Sequence, residues 1–216
     1  MKKILLSVIF SAFLVVPAYS IGINVGVSGN MGVFHASGEE NENSEKSKED
    51  ATGVAGYGSI FIEKTLGDRL AIGVDYNPSA MSSETANNDR HDKTTAADEA
   101  STAVKNSVKV DFEDLTSIYL KLNLSENIYV KAGAVSVDVI TKESLGTGST
   151  YGDTDMSGET FGIGYNTEFG NGMFARIEGT YMDLGSVTVT ASNGDNKASI
   201  NNLEGMNAKF AIGKSF

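Results

Sequence analysis

The chain has 216 residues, a formal net charge of −11 and no cysteine. Such acidity excludes nucleic acid as an expected partner, and the lack of cysteine excludes a disulfide framework. Beyond the first twenty residues no apolar run reaches the roughly 18 residues of a transmembrane helix.

Residues 1–20 read as a cleaved secretory signal. Lys2 and Lys3 form a basic start, Ile4 to Val16 is mostly apolar, and Ala18-Tyr19-Ser20 supplies the small residues of a cleavage site. A membrane anchor is the alternative, but the stretch is short for a span of about 20 residues. Removing the leader leaves one domain, residues 21–216, with a formal charge of −13 after the loss of two lysines.

From Ile21 onward the pattern has period two. Every odd position from Ile21 to Val33 is Ile, Val, Met or Gly, and every even position from Gly22 to Gly32 is Gly, Asn or Ser. The same alternation recurs in Leu70–Asn77, Ser117–Leu122, Phe161–Phe169, Ala175–Tyr181 and Met206–Phe216. Period two is strand pattern. Eight strands are expected, near 21–35, 53–65, 69–78, 107–122, 127–140, 158–169, 172–190 and 200–216. Ile60 and Ile62 are placed outward so that Glu63 turns inward. In 127–140 the valines at 135, 137 and 139 oppose the parity of Val130, Ala132 and Ala134, and a bulge near Gly133 would reconcile them.

The connections alternate in length. Leu66-Gly67-Asp68, Asn123–Asn127 and Gly170-Asn171 are tight, whereas 36–52, 79–106, 141–157 and 191–199 are long, polar and charged. Antiparallel strands send alternate connections to opposite ends, so one end is smooth and the other ragged. Short periplasmic turns opposite longer extracellular loops are the ordinary form of a transmembrane barrel. The long segments hold too little apolar surface to order themselves cheaply and are read as solvated loops.

The polar parity carries Glu63, Asp75, Lys121, Lys131, Glu168, Arg176, Glu178 and Lys209, four acids and four bases. Facing these into a lumen lets opposite charges pair. On the apolar parity, Asp114, Asp138 and Asp183 come about nine to eleven residues from the tight turns, the length of a tilted strand crossing a bilayer. A lumen of about eight strands is filled by side chains, so a plugged interior is expected, with glycines on the polar parity leaving room for the long charged groups. Tyr76, Phe112, Tyr165, Phe169, Tyr181 and Phe216 are candidates for aromatic girdles. Ile72→Lys is expected to block insertion and Gly73→Ala to be milder.

The chain ends in AKFAIGKSF. Ala208, Phe210, Ile212 and Phe216 resemble the C-terminal signal that outer-membrane barrels present to their assembly machinery, with Lys214 departing from the usual apolar residue. With the leader, the eight strands and the sorted loops, residues 21–216 resemble the small eight-stranded outer-membrane barrels of the OmpA, OmpX and opacity-protein type. The resemblance implies an all-β, eight-stranded, antiparallel up-and-down transmembrane β-barrel in the cell outer membrane. It also implies outer-membrane lipid, lipopolysaccharide and the barrel-assembly machinery as partners, and an extracellular ligand through the loops. It transfers fold and location better than function.

Three functions are therefore weighed. A non-catalytic structural or adhesion-type role leads, a narrow diffusion channel is the alternative, and a lipid A-modifying enzyme is the third. For the enzyme, His35 and Ser37 share a parity ahead of Glu39 and Glu40, residue types suited to acyl transfer. They lie on the first strand, whereas lipid A deacylases carry such a pair late in the chain, and a loop-edge His and Ser is the favoured reading. His91 sits in the longest polar segment. No catalytic residue, cofactor or metal is expected.

Overall fold

A computed structural model describes residues 22–42, 45–92, 102–144 and 150–216. The expected leader lies outside them. Ten strands run in chain order: β1 (Ile23–Glu42), β2 (Glu45–Leu66), β3 (Leu70–Tyr76), β4 (Met81–Ser82), β5 (Ala86–Asp92), β6 (Thr102–Asn123), β7 (Ile128–Ser144), β8 (Thr154–Glu168), β9 (Met173–Thr190) and β10 (Lys197–Ser215). Each strand pairs antiparallel with its sequence neighbour in the wall, β1 also pairs with β10, and β3, β4 and β5 lie in turn along β6. The last three share one wall position. The result is a closed, eight-stranded, antiparallel up-and-down β-barrel with no free edge at its base.

Short turns gather at one end. Gly67 takes a positive φ of 74° between β2 and β3, and Asn171 and Gly172 take 68° and 73° between β8 and β9. These are residue types that accept the left-handed region. Between β6 and β7, the Ile128 amide donates to Ser125 Oγ at 3.0 Å. The start of β1 and the end of β10 close the ring here through paired backbone bonds between Ile23 and Phe216.

The other end differs from expectation. Residues 36–42 and 45–52, read as part of a solvated loop, are paired strand: β1 and β2 stay in register from Ile23↔Lys64 to Glu42↔Glu45. Likewise Ala86–Asp92 pairs with Thr102–Val108. Backbone hydrogen bonding does not depend on side-chain polarity, so a registered hairpin can continue into polar sequence. Lys46 pairs with Glu39 at 2.9 Å on this ribbon. The barrel wall therefore stands well above the belt that the apolar parity defines.

Bulges allow a change of facing. The β6–β7 register shifts between Glu113 and Thr116, the β1–β10 register between His35 and Ser37, and the β9–β10 register near Leu203. Asp114, Gly185 and Asn202, with φ of 54°, 70° and 52°, sit at these shifts. Above them Phe112, Val187 and Ile200 pack against the interior. The bulge expected near Gly133 is absent: β7 pairs with β8 without interruption from Ile128↔Tyr165 to Val139↔Thr154. Val135, Val137 and Val139 point inward because the upper interior is apolar. Phe112, expected in a girdle, turns inward for the same reason.

Glycines on the inner parity have a second use. Gly26, Gly73, Gly164, Gly205 and Gly213 lie directly across from Phe61, Tyr119, Tyr129, Phe34 and Phe174. A Cβ on Gly73 would come within 2.5 Å of the Tyr119 ring, and one on Gly164 within 2.3 Å of Tyr129. Each aromatic lies flat over the bare backbone opposite, the device that covers strand glycines elsewhere. Phe61, Tyr119, Tyr129 and Phe174 fill the barrel between and below the charged side chains, and Phe34 packs against the apolar cluster above them.

Candidate functional site

The interior has two layers. In the lower one, nearer the short turns, the Glu63 carboxylate accepts from Arg176 Nη1 and Nη2 at 2.7 and 2.8 Å and from Lys121 Nζ at 2.7 Å. Tyr119 Oη and Asn24 Nδ2 complete its shell at 3.0 and 3.1 Å. Lys131 pairs with Glu178 at 2.5 Å, and Glu178 also accepts from Tyr129 Oη and Thr180 Oγ1, both at 2.9 Å. Lys209 pairs with Asp75. The Arg176 guanidinium is 4.3 Å from the Phe174 ring centroid and 5.4 Å from Phe61, and Lys131 lies 4.7 Å from the Tyr119 ring. Buried ions are tolerated only with such dense pairing.

Seven of the eight charges on the polar parity thus meet inside. Glu168 does not: it is the last residue of β8, exposed at the turn-end rim. Its parity is right but its height is wrong. Tyr119 and Tyr129 were not singled out as site residues in the sequence. Each stands two positions from an inward lysine on the same parity, which is the signal that would have found them.

The upper layer is apolar. Tyr57, Leu115, Val135, Val137, Val139, Met156, Met182, Leu184 and Leu203 form one buried cluster. Between the layers a cavity of only about 10 Å³ remains, beside Asn77, Asn207 and the Asp75–Lys209 pair. That is room for about one water. Below the ionic layer the barrel opens at the turn end into a vestibule of about 230 Å³.

The outer wall reverses this chemistry. Val27, Met31, Ile60, Leu120, Ile163, Ile177, Met206 and Phe210 are exposed together with many neighbours. A continuous apolar band of this size does not suit contact with water. Tyr165, Phe169 and Phe216 are exposed toward its turn end. At its upper edge Tyr76 Oη donates to Asp114 and Tyr181 Oη donates to Glu204, both at 2.6 Å. Exposed Glu159, Asp183 and Glu204 face one another in turn across β8, β9 and β10. Ala208, Phe210 and Ile212 are outward on β10, and Phe216 follows at its end, with Lys214 Nζ 5.2 Å from its ring.

The fold has a solved counterpart. The outer membrane protein OprG of Pseudomonas aeruginosa superposes with a TM-score of 0.56 at 10% identity, covering 90% of this chain and 96% of its own. The fold is that of a small outer-membrane β-barrel. Outer membrane protein AlkL, solved in lipid bilayers, matches at a TM-score of 0.50 and 15% identity, covering 93% of each chain. No protein-family model and no curated protein sequence matches the chain.

Above the band, Asp111 lies between Lys109 and Lys142. The hydrogen bonds from Lys142 and Ser82 hold its carboxyl down at about 2. His35 is exposed and its Nδ1 lies 3.1 Å from Thr52 Oγ1, while Ser37 is buried and its Oγ has no hydrogen-bond partner. No bond joins His35 to Ser37, and the arrangement offers no activated nucleophile. His91 is on β5, with its backbone opposite Ala103. No group of three metal-binding side chains occurs among the described residues.

Proposed function

We propose that this protein is a non-catalytic outer-membrane barrel that closes its own lumen and presents its extended strands outside the cell, in a structural or adhesion-type role. Outer-membrane lipid and lipopolysaccharide surround the band, the short turns face the periplasm, and the assembly machinery reads the outward side chains at the end of β10. The observation that carries the reading is the stacking of two sealing layers, paired ions below and an apolar cluster above. A channel would need a continuous wet path, and the space between the layers is about 10 Å³. The upright ribbon of β1 and β2 supplies an exposed charged surface, with Lys46, Lys48, Glu49 and Asp50 all open to solvent.

Two measurements test this. Refolded protein in planar bilayers should pass almost no ionic current, and steady unitary conductance would favour the channel reading. Lys46→Cys, in a chain with no native cysteine, should react with a membrane-impermeant maleimide on intact cells. Labelling only after lysis would reverse the proposed orientation.

A further inference from the structure

The ionic layer is not balanced. With Glu168 at the rim, it holds three carboxylates (Glu63, Asp75 and Glu178) against four cations (Lys121, Lys131, Arg176 and Lys209). Lys131 and Lys209 each have a carboxylate of their own. Arg176 and Lys121 share Glu63, so the surplus positive charge lies at the bottom of the layer.

That surplus faces open space. Lys121 and Arg176 line the turn-end vestibule, while Glu63, only 1% exposed, lies behind them. The Arg176 Nε donates to Asn166 Oδ1 at 3.0 Å, an amide where a carboxylate would have cancelled the charge. Asn24, Asn127 and Ser215 add neutral polar groups to the wall. The acids of the vestibule, Asp68, Glu126 and Glu168, are all exposed, where salt screens them over about 8 Å. The two buried cations are screened much less.

We propose that the vestibule is a binding site for one small oxyanion, of the phosphate or carboxylate class, held by Lys121 and Arg176 from the turn end. The volume of about 230 Å³ takes such an ion with part of its hydration. Charge-assisted hydrogen bonds from the second Lys121 and Arg176 protons supply the attraction, and the neutral amides position the oxygens. The anion completes the charge balance of the layer, so its binding and the stability of the barrel are linked.

The test uses full-length protein refolded in a maltoside detergent, free of phosphate headgroups, at constant ionic strength. Inorganic phosphate is titrated and followed by ³¹P line broadening. Saturable binding of one ion per chain is expected. Lys121→Gln should bind roughly tenfold more weakly or not at all, the loss of one charge-assisted hydrogen bond. Asn166→Asp, which gives Arg176 a second carboxylate, should fold and also lose binding. Lys46→Gln, on the exposed ribbon, should bind like the parent. Absence of saturable binding in the parent, or undiminished binding in either folded vestibule variant, overturns the proposal.

Discussion

Arg176 and Glu63 meet across the barrel axis in a two-pronged ion pair, 2.7 and 2.8 Å long, joining β9 to β2 over 113 residues of sequence. No backbone bond links these strands, so the pair braces opposite walls. Arg176→Met leaves Glu63 buried with Lys121 as its only cation. Removing one partner of a buried pair costs about 3–5 kcal/mol. The variant should lose that much in urea unfolding from detergent or lipid. Adding Glu63→Gln should restore part of it, because the stranded carboxylate is then gone. Equal losses in the single and double variants would show that the brace acts by packing alone.

Much of this barrel could be read directly. The alternation at Ile21–Val33 and Met206–Phe216 requires one apolar face, and the sorted turns require two unlike ends. Facing Glu63 inward correctly put Ile60 and Ile62 outside. What escaped reading was the height at which the chemistry changes. Val135, Val137 and Val139 obey one unbroken parity, and only the assumption of a lumen polar throughout made a bulge at Gly133 necessary. The true bulges lie at Asp114, Gly185 and Asn202. Those residue types tolerate positive φ, but many such residues occur in extended segments, so type alone does not select them. The polar ribbon of 36–42 and 45–52 was unreadable for a different reason: its order comes from register inherited from the belt below, which leaves no apolar mark.

Glycine substitutions should separate the inner face from the outer one. Gly73 faces the Tyr119 ring, and Gly179 faces open space on the outer wall. Gly73→Ala should therefore destabilise by about 1–3 kcal/mol through overpacking. Gly179→Ala should be neutral or gain about 0.4–1 kcal/mol from a stiffer unfolded chain. Heat-modifiable gel mobility across a temperature series would rank them, and a harmless Gly73→Ala would sink the aromatic-over-glycine account.

Ile177 is 64% exposed in the middle of the outer band. Ile177→Lys should cost roughly 2–4 kcal/mol, the penalty for a lysine near the bilayer midplane. The loss should appear in lipid vesicles and shrink in detergent micelles, where the side chain reaches water more easily. A water-soluble barrel would show little change in either.

Asp111 gives a pH signature above the band. Lys142, foremost, and Ser82 lower its carboxyl to about 2, below the ordinary value near 3.9 in an unfolded chain. A lowered carboxyl contributes stability above the unfolded value and loses it as pH falls through the folded one. The β6–β7 extension should therefore keep its amide protection down to about pH 4 and lose this contribution between about pH 4 and 2. Lys142→Gln should move the carboxyl titration upward, as read by ¹³C NMR.

The apolar upper layer should be a cooperative unit of its own. Leu115 is buried in that cluster just inside the Asp114 bulge, next to Val137 and Met156 in the same packed group. It contributes nothing to the outer band, so it should not affect insertion. Truncating a buried leucine costs about 2–5 kcal/mol, and here the cost falls on the extension. Leu115→Ala should fold into vesicles with parental yield and still show the heat-dependent gel shift. Its exposed lysines, Lys46, Lys48 and Lys142, should become sites of limited trypsin cleavage, because local opening scales with local stability. If insertion and protease resistance fell together, the two layers would form a single folding unit and the division at the bulges would have no energetic meaning.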